Sequence, residues 1–292
     1  MKRALYAWPV SLWLTFVAWP VSASVVVTDD AGRTVELAQP ARRIVSLAPH
    51  VTEMVYAAGA GGRLVGTVQF SDFPPPAKQV ARVGGYSGFD LEAIIALNPD
   101  LVIGWPSGNP GTQLDKLKAI GVPLYLSEPR HVDDVATTIE RIGALAGTPA
   151  ARKEAETLRA GFAALRAHYG QKEAVSVFYQ VWDDPLYTVN GEHIISDVIR
   201  LCGGRNVFAD LPLLAPHVDV EAVLKANPDV VVASGMATER PEWLDRWRRW
   251  PQIAAVRHNR LFVIPPDIIQ RASPRLLEGA KEMCRALDSA RR

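Results

Sequence analysis

Apolar and polar positions fall into the same order twice along this chain. One copy runs from Asp90-Leu91-Glu92 through Asn98-Pro99-Asp100 to Gly104, the other from Asp219-Val220-Glu221 through Asn227-Pro228-Asp229 to Ala233. Each opens on an acid suited to cap a helix, Asp90 or Asp219. Each then places Glu92 or Glu221 in the first turn, where negative charge faces the positive end of the helix dipole. Apolar residues recur at helical spacing up to Pro99 or Pro228, which a helix interior does not accept. A short β-branched run follows, the pattern of a strand buried on both faces. One helix–turn–strand unit in each half predicts two similar α/β lobes facing each other.

The same reading extends to the rest of the chain. Val25-Val26-Val27 and Thr34 to Leu37 flank Asp29-Asp30-Ala31-Gly32, a hairpin pattern. Arg43 to Leu47 and Leu64 to Val68 read as buried strands around a helix over Thr52 to Ala58 closed by Gly59. Alternation of this kind predicts a parallel sheet covered on both faces. A strand at Val122 to Leu126 and a helix at Val132 to Ala146 complete the first lobe.

From Pro149 to about Lys172 the chain is rich in alanine and charge, with Leu158, Phe162, Leu165 and Tyr169 at spacings of three and four. That predicts one long helix between the lobes, a brace rather than a hinge, since a flexible linker would be built of glycine and serine. The second lobe begins with a strand at Ala174 to Tyr179, followed by a helix from His193 to Cys202 that ends at Gly203-Gly204. Trp243, Trp247 and Trp250, after the second repeat, read as a helix packed on its sheet. A strand at Leu261 to Ile264 and a last helix carrying Cys284 close the chain. The fold class is therefore α/β: two Rossmann-like lobes with mainly parallel sheets joined by one long inter-lobe helix. The expected boundaries are 24–148, 149–172 and 173–292.

Residues 1–23 read differently. Lys2 and Arg3 precede a mostly apolar stretch from Leu5 to Val21, and Val21-Ser22-Ala23 offers small residues for a signal peptidase. Cleavage after Ala23 would send the mature chain, beginning near Ser24, to the periplasm. Pro9 and Pro20 interrupt the apolar stretch and argue against a transmembrane anchor. Length (292 residues) allows two domains with a core each, and a formal charge of +1 argues against nucleic acid as a partner. The two cysteines, Cys202 and Cys284, are either a disulfide, which export favours, or two separate buried thiols.

Enzyme signatures are missing: the chain has no Gly-x-Ser-x-Gly elbow, phosphate loop or paired-cysteine redox motif. Gly59-Ala60-Gly61-Gly62 follows a helix rather than a strand, so it reads as a cap and turn, not a dinucleotide site. The six histidines are scattered, no metal site is expected, and His217 reads as a solvated loop residue. What stands out is a set of aromatics at strand exits: Phe70, Tyr86, Trp105, Trp182 and Tyr187. Open parallel sheets bind ligands at those exits, and aromatic walls bury large flat ligands. Each ring taken singly could instead plug its own lobe. Asp267 and Arg271 would add polar contacts to such a ligand, or pair with each other at a helix start.

These stretches together resemble a known family. Phe70-Ser71-Asp72-Phe73-Pro74-Pro75, the first repeat, Cys202-Gly203-Gly204, Arg271-Ala272-Ser273-Pro274-Arg275 and Cys284 are similar to the periplasmic substrate-binding proteins of ABC importers. The resemblance covers residues 42 to 288 and is to the helical-backbone class, which carries siderophores, haem and cobalamin; the cobalamin binders are most alike. It implies a non-enzymatic, monomeric receptor that takes cobalamin or a related corrinoid as transported ligand, without a cofactor, and delivers it to the permease subunits. Haem or a ferric siderophore is the alternative cargo. The resemblance places ligand contacts at Phe70, Tyr86 and Trp105 and at Asp267, Ile268, Ile269, Gln270 and Arg271. It places permease docking at Glu92 and Glu221, and a disulfide at Cys202 and Cys284. Two departures bear on the cargo: Ala215 stands where the cobalamin binder has a tryptophan, and Tyr86 replaces another.

Overall fold

In a computed structural model of the chain, which describes residues 24–85, 88–235 and 241–291, the two halves are built on one plan. An antiparallel hairpin of β1 (Val25–Thr28) and β2 (Thr34–Leu37) precedes the first lobe. That lobe runs β3 (Ile44–Ser46), α1 (Pro49–Ala57), β4 (Leu64–Gly66), a small antiparallel pair β5 (Gly84–Gly85) and β6 (Gly88–Phe89), then α2 (Leu91–Ala96), β7 (Leu101–Gly104), α3 (Gly111–Ala119), β8 (Leu124–Leu126) and α4 (Val132–Ala146). After α5 (Ala150–Tyr169) the second lobe runs β9 (Val175–Gln180), α6 (Ile194–Leu201), β10 (Gly204–Asn206), α7 (Val220–Ala226) and β11 (Val230–Ala233). It continues with the one-turn helices α8 (Glu242–Asp245) and α9 (Ala254–Arg257), then β12 (Leu261–Val263), α10 (Pro266–Ile269) and α11 (Leu276–Ala290).

Each lobe holds a parallel four-stranded sheet, ordered β4-β3-β7-β8 in the first and β10-β9-β11-β12 in the second. Numbered within a lobe, both orders are second, first, third, fourth. The predicted repeats are α2 with β7 and α7 with β11, the same place in each sheet. Asp90 accepts the N–H of Ala93 at 3.0 Å and Asp219 that of Ala222 at 2.7 Å, as helix caps do. Asn98 and Asn227 close the two helices with positive φ of 47° and 44°, a conformation asparagine tolerates better than most side chains.

The aspartates of the two Asn-Pro-Asp turns have a role that spacing did not reveal. Asp100 accepts the N–H groups of Arg42 and Arg43 at 2.8 and 2.9 Å, and Asp229 accepts the Ser176 N–H at 2.9 Å. Each carboxylate thereby ties the repeat to the start of the neighbouring first strand. Among the elements beyond the predicted pattern are the β5–β6 pair, the helix α3, the strand β10 directly after Gly203, the one-turn helices α9 and α10, and a tryptophan stripe split between α8 and a 3₁₀ turn at Arg246–Arg249. Trp247 of that stripe is buried against Phe178, as a packed helix face requires.

The core does not divide at the lobe boundary. One apolar cluster runs from Ile44, Met54 and Ile139 through Ala155, Leu158 and Phe162 of α5 to Val198, Met283 and Leu287, and smaller clusters fill the outer face of each sheet. The helix α5 ends at Tyr169, and Leu165 and Tyr169 lie partly buried against the core. Its one internal glycine, Gly161, has a packing reason: a Cβ there would come within 2.5 Å of Leu277 of α11. Across the boundary, Asp197 of α6 accepts the N–H of Val132 at the start of α4 at 2.9 Å. Cys202 and Cys284 form a disulfide that fastens α6 to α11. No helix among the described residues is long and apolar enough to cross a membrane. The predicted signal segment, 1–23, lies outside those residues.

Candidate functional site

In a sheet of this order the chain leaves the first and third strands toward opposite sides, and the crevice at their carboxyl ends is where such folds take ligands. In the first lobe β3 exits through Ala48-Pro49 to His50 and β7 exits directly onto Trp105. In the second, β9 exits onto Val181-Trp182 and β11 onto Ser234. Between these edges lies a cavity of about 450 Å³ walled by both lobes: His50, Trp105 and Arg130 on one side, His193, Leu214 and Gln270 on the other. Ala215, the departure noted in the sequence, also faces it.

Trp105 is held from several directions. Its backbone N–H donates to Asn109 Oδ1 at 2.7 Å, and Asn109 Nδ2 donates to the Leu47 carbonyl at 2.9 Å, so one buried amide ties the exits of β7 and β3 together. The indole Nε1 donates to Glu128 Oε1 at 3.3 Å. Its ring lies over Gly108, where any Cβ would overlap it. The His50 ring meets Trp105 edge-on, with centroids 5.1 Å apart.

Both cavity histidines are neutral for physical reasons. His50 is 95% buried, being 5% exposed, and lies in the first turn of α1; burial, with a smaller contribution from the charge of Arg271, pushes its pKa down to about 3. Its Nε2 is buried without a hydrogen-bond partner. His193 caps α6 by accepting the Ile195 N–H on Nδ1 at 3.1 Å, which requires that nitrogen to be unprotonated. Burial, then the charge of Arg130, lowers its pKa to about 4.

Beside the cavity the lobes are joined by a charged hub. Glu53, 3% exposed on α1, accepts from Arg271 Nη1 at 2.9 Å, Ser273 Oγ at 2.6 Å and Arg275 Nη2 and Nε at 2.7 and 3.0 Å. Arg271 also meets Asp72 at 3.1 Å and Asp267 at 2.8 Å, and Arg275 stacks over the Phe73 ring at 4.2 Å. The loop at 70–76 and the segment at 267–275 are therefore built against each other.

Of the residues singled out by sequence, Trp105 and Gln270 line the cavity. Asp267 and Arg271 pair with each other in the hub, Ile269 is fully buried in the core and Ile268 packs against that core. Phe70 stands 63% exposed with a positive φ of 63°, a strained conformation for an aromatic residue. Trp182 is exposed and donates Nε1 to the Asp184 carbonyl at 3.1 Å, while Tyr187 bridges to Trp182 and to His217. These three do not line the cavity. His217 is exposed, and Tyr86 lies outside the described residues. Glu92 and Glu221 are both exposed in the first turns of α2 and α7. Among the described residues no cluster of three or more His, Cys, Asp or Glu side chains could hold a metal ion.

Sequence reading passed over His50, His193, Glu53, Glu128, Arg130 and Asn109. For His50 the signal was its place directly after a strand, which spacing-based metal rules ignore. For Glu53 it was an acid inside the apolar run Val51 to Val55.

Comparison with known proteins adds the relationships. The profile of a family described as periplasmic binding protein matches residues 44–268. A vitamin B12-binding protein of Vibrio parahaemolyticus is 39% identical over 255 residues, 87% of this chain and 92% of that protein. The crystal structure of the periplasmic vitamin B12-binding protein BtuF of Vibrio cholerae superposes with a TM-score of 0.80 at 36% identity, over 87% of this chain and 99% of that one. The periplasmic haem-binding protein HutB of Vibrio cholerae shares the fold, with a TM-score of 0.71 at 22% identity over 84% of this chain and 98% of its own.

Proposed function

The chain belongs to the periplasmic binding protein family, and from that premise we propose that it captures cobalamin in the cleft between its lobes and delivers it to an ABC permease. The observation that carries this reading is the cavity between the lobes, walled by Trp105 and by a mixture of apolar residues, such as Ile194 and Leu214, and polar ones, such as Glu128, Arg130 and Gln270. At about 450 Å³ the enclosed space would grip one edge of a bulky, flat ligand that enters from solvent and is held without covalent chemistry. The similarity to vitamin B12-binding relatives supports cobalamin as that ligand. The mature receptor would begin near Ser24, act as a monomer in the periplasm, and present Glu92 and Glu221, one from each lobe, to arginines of the two-fold permease. Phe70 and Trp182, exposed aromatics on loops at the sheet edges, would add ring contacts once the ligand is seated. Phe70 is held outward at the cost of a strained backbone, which fits a ring kept available.

The test is direct titration of purified protein with cyanocobalamin and, separately, with haemin, followed by calorimetry and visible absorption. Heat and saturation with cyanocobalamin are expected, with no change in the haemin Soret band. A Soret shift lost on Tyr86→Phe, without cyanocobalamin binding, would replace this reading with haem capture.

A further inference from the structure

The hairpin of β1 and β2 sits outside residues 44–268, the stretch the family profile matches, yet it bonds directly to a residue of the cavity wall. Its turn is fastened to the end of β8. Asp29, 2% exposed, accepts the Leu126 N–H on Oδ2 at 3.2 Å, and the Asp30 N–H donates to the Leu126 carbonyl at 3.0 Å. Seated this way, Asp30 presents its carboxylate to the chain just beyond β8: Oδ2 accepts the Glu128 N–H at 2.7 Å and Oδ1 accepts Arg141 Nη1 at 2.7 Å. We propose that Asp30 and Glu128 are positioning residues of the ligand cleft: the hairpin fixes Glu128, and Glu128 fixes the Trp105 ring before the ligand arrives. This deepens the cobalamin reading and rests on it.

Glu128 depends on the hairpin as its neighbours do not. Ser127 donates its N–H to the Gly104 carbonyl at 2.9 Å, Arg130 and His131 donate theirs to Asp134 at 2.9 and 2.8 Å, and Val132 donates to Asp197 at 2.9 Å. Packing does not replace the bond from Asp30. Glu128 and Arg130 border both the cleft cavity and a second cavity of about 420 Å³, which Asp29, Asp30 and Arg141 also line. With open space against it twice, this stretch of wall is held by hydrogen bonds rather than by packed side chains.

The Glu128 side chain in turn holds the loop after β7. Oε2 accepts the Ser107 N–H at 2.8 Å, and Oε1 accepts Ser107 Oγ at 2.9 Å and Trp105 Nε1 at 3.3 Å. Arg130 lies 3.8 Å from Oε1, too far for a hydrogen bond, so the carboxylate is left to the loop. A tryptophan at a strand exit can swing about two side-chain torsions, and each rotamer would show the cavity a different edge. Gly108 leaves room for the ring and the His50 edge meets it, but among the described residues Glu128 takes its N–H. A ring fixed in advance does not lose that freedom on binding.

The experiment measures dissociation constants for cyanocobalamin by calorimetry in the wild-type protein, Asp30→Asn, Glu128→Ala and Glu128→Gln, each also made on a Trp105→Phe background. Asp30→Asn puts an amide where two donors now meet a carboxylate, and Glu128→Gln keeps an oxygen that can accept the indole N–H. Glu128→Ala should weaken binding about tenfold, the size of one charge-assisted contact, and Glu128→Gln and Asp30→Asn about threefold. On the Trp105→Phe background, which has no indole N–H to hold, each change should weaken binding less than about twofold. A shortfall of folded protein shows as fewer binding sites in the same titration, not as a weaker constant. Near-ultraviolet circular dichroism of the ligand-free proteins gives a second reading: the tryptophan signal lost in Trp105→Phe should also weaken in Asp30→Asn and Glu128→Ala. Equal losses of affinity on both backgrounds overturn the inference, because direct ligand contact and general destabilisation act alike whichever ring is present. Wild-type affinity in both Asp30→Asn and Glu128→Ala, or an unchanged tryptophan signal in both, also overturns it, and all of these results leave cobalamin capture intact. Absence of cyanocobalamin binding by the wild-type protein overturns both.

Discussion

Replacing Glu53 by glutamine tests whether the charged hub holds the lobes in register. Glu53 has 2% of its side chain exposed and receives four charge-assisted bonds, from Arg271, Ser273 and Arg275. Bonds of this kind contribute about 1.5–3 kcal/mol each in isolation, but burying the ions offsets much of that. The informative quantity is the cost of removing one partner from a buried network, about 3–5 kcal/mol. Here the stranded arginines keep other company: Arg271 retains Asp72 and Asp267, and Arg275 retains the Phe73 ring and a 4.0 Å contact with Asp267. The lower end applies, so Glu53→Gln should lower unfolding stability by about 3 kcal/mol in urea at an unchanged m-value. Asp72→Asn is the control. Its side chain is 48% exposed, and the loss should stay within about 1 kcal/mol. A Glu53→Gln loss below about 1 kcal/mol would refute the claim that the hub stabilises the arrangement of the lobes.

Three further outcomes are expected. Changing Cys202 and Cys284 together to serine opens a loop closed across 82 residues, and urea unfolding should show a loss of about 4 kcal/mol in the chain-entropy account. Stability should also fall in mild acid through His50. Its pKa is lower folded, about 3, than the ordinary 6.5, so the unfolded chain takes up the proton first. The contribution is therefore complete above pH 6.5 and is lost as pH falls toward 3. It amounts to about 3 kcal/mol between pH 7 and 4.5, and urea midpoints should drop less over that range in His50→Phe than in the wild-type protein. Finally, Glu92→Ala with Glu221→Ala should leave cyanocobalamin affinity within about twofold while abolishing uptake in a reconstituted permease assay, since both side chains are exposed and make no wall of the cavity.

The duplicated fold was legible because its signals are local. Asp90 and Asp219 cap, Pro99 and Pro228 end the helix, and the β-branched runs become the third strand of each sheet. The long helix was legible from Leu158 and Phe162 at helical spacing, whose burial joins the lobes into one core. That same continuity was hidden, because periodicity names the apolar face of a helix but not the elements that will cover it. Strand β10 was invisible because Gly204-Arg205-Asn206 has no β-forming character; it pairs because β9 offers an open edge. The cavity was half legible. Trp105 follows from its place at a strand exit, whereas the gathering of His50, Arg130, His193 and Gln270 around one cavity depends on how distant parts of the chain are brought together. Ile269 shows the opposite limit, since a segment chosen as a unit contributes Gln270 to the cavity and Ile269 to the core.

Asp100 and Asp229 each rivet a repeat to the first strand of its own sheet. The helix that displays Glu92 is thereby fixed to the strand that ends beside His50, and the helix that displays Glu221 to the strand that ends beside Trp182. Each glutamate-bearing helix is therefore tied to the first strand of its own sheet as well as to the third. Any partner that took hold of both helices would have to work against the core shared through α5 and against the Glu53 hub to part the lobes.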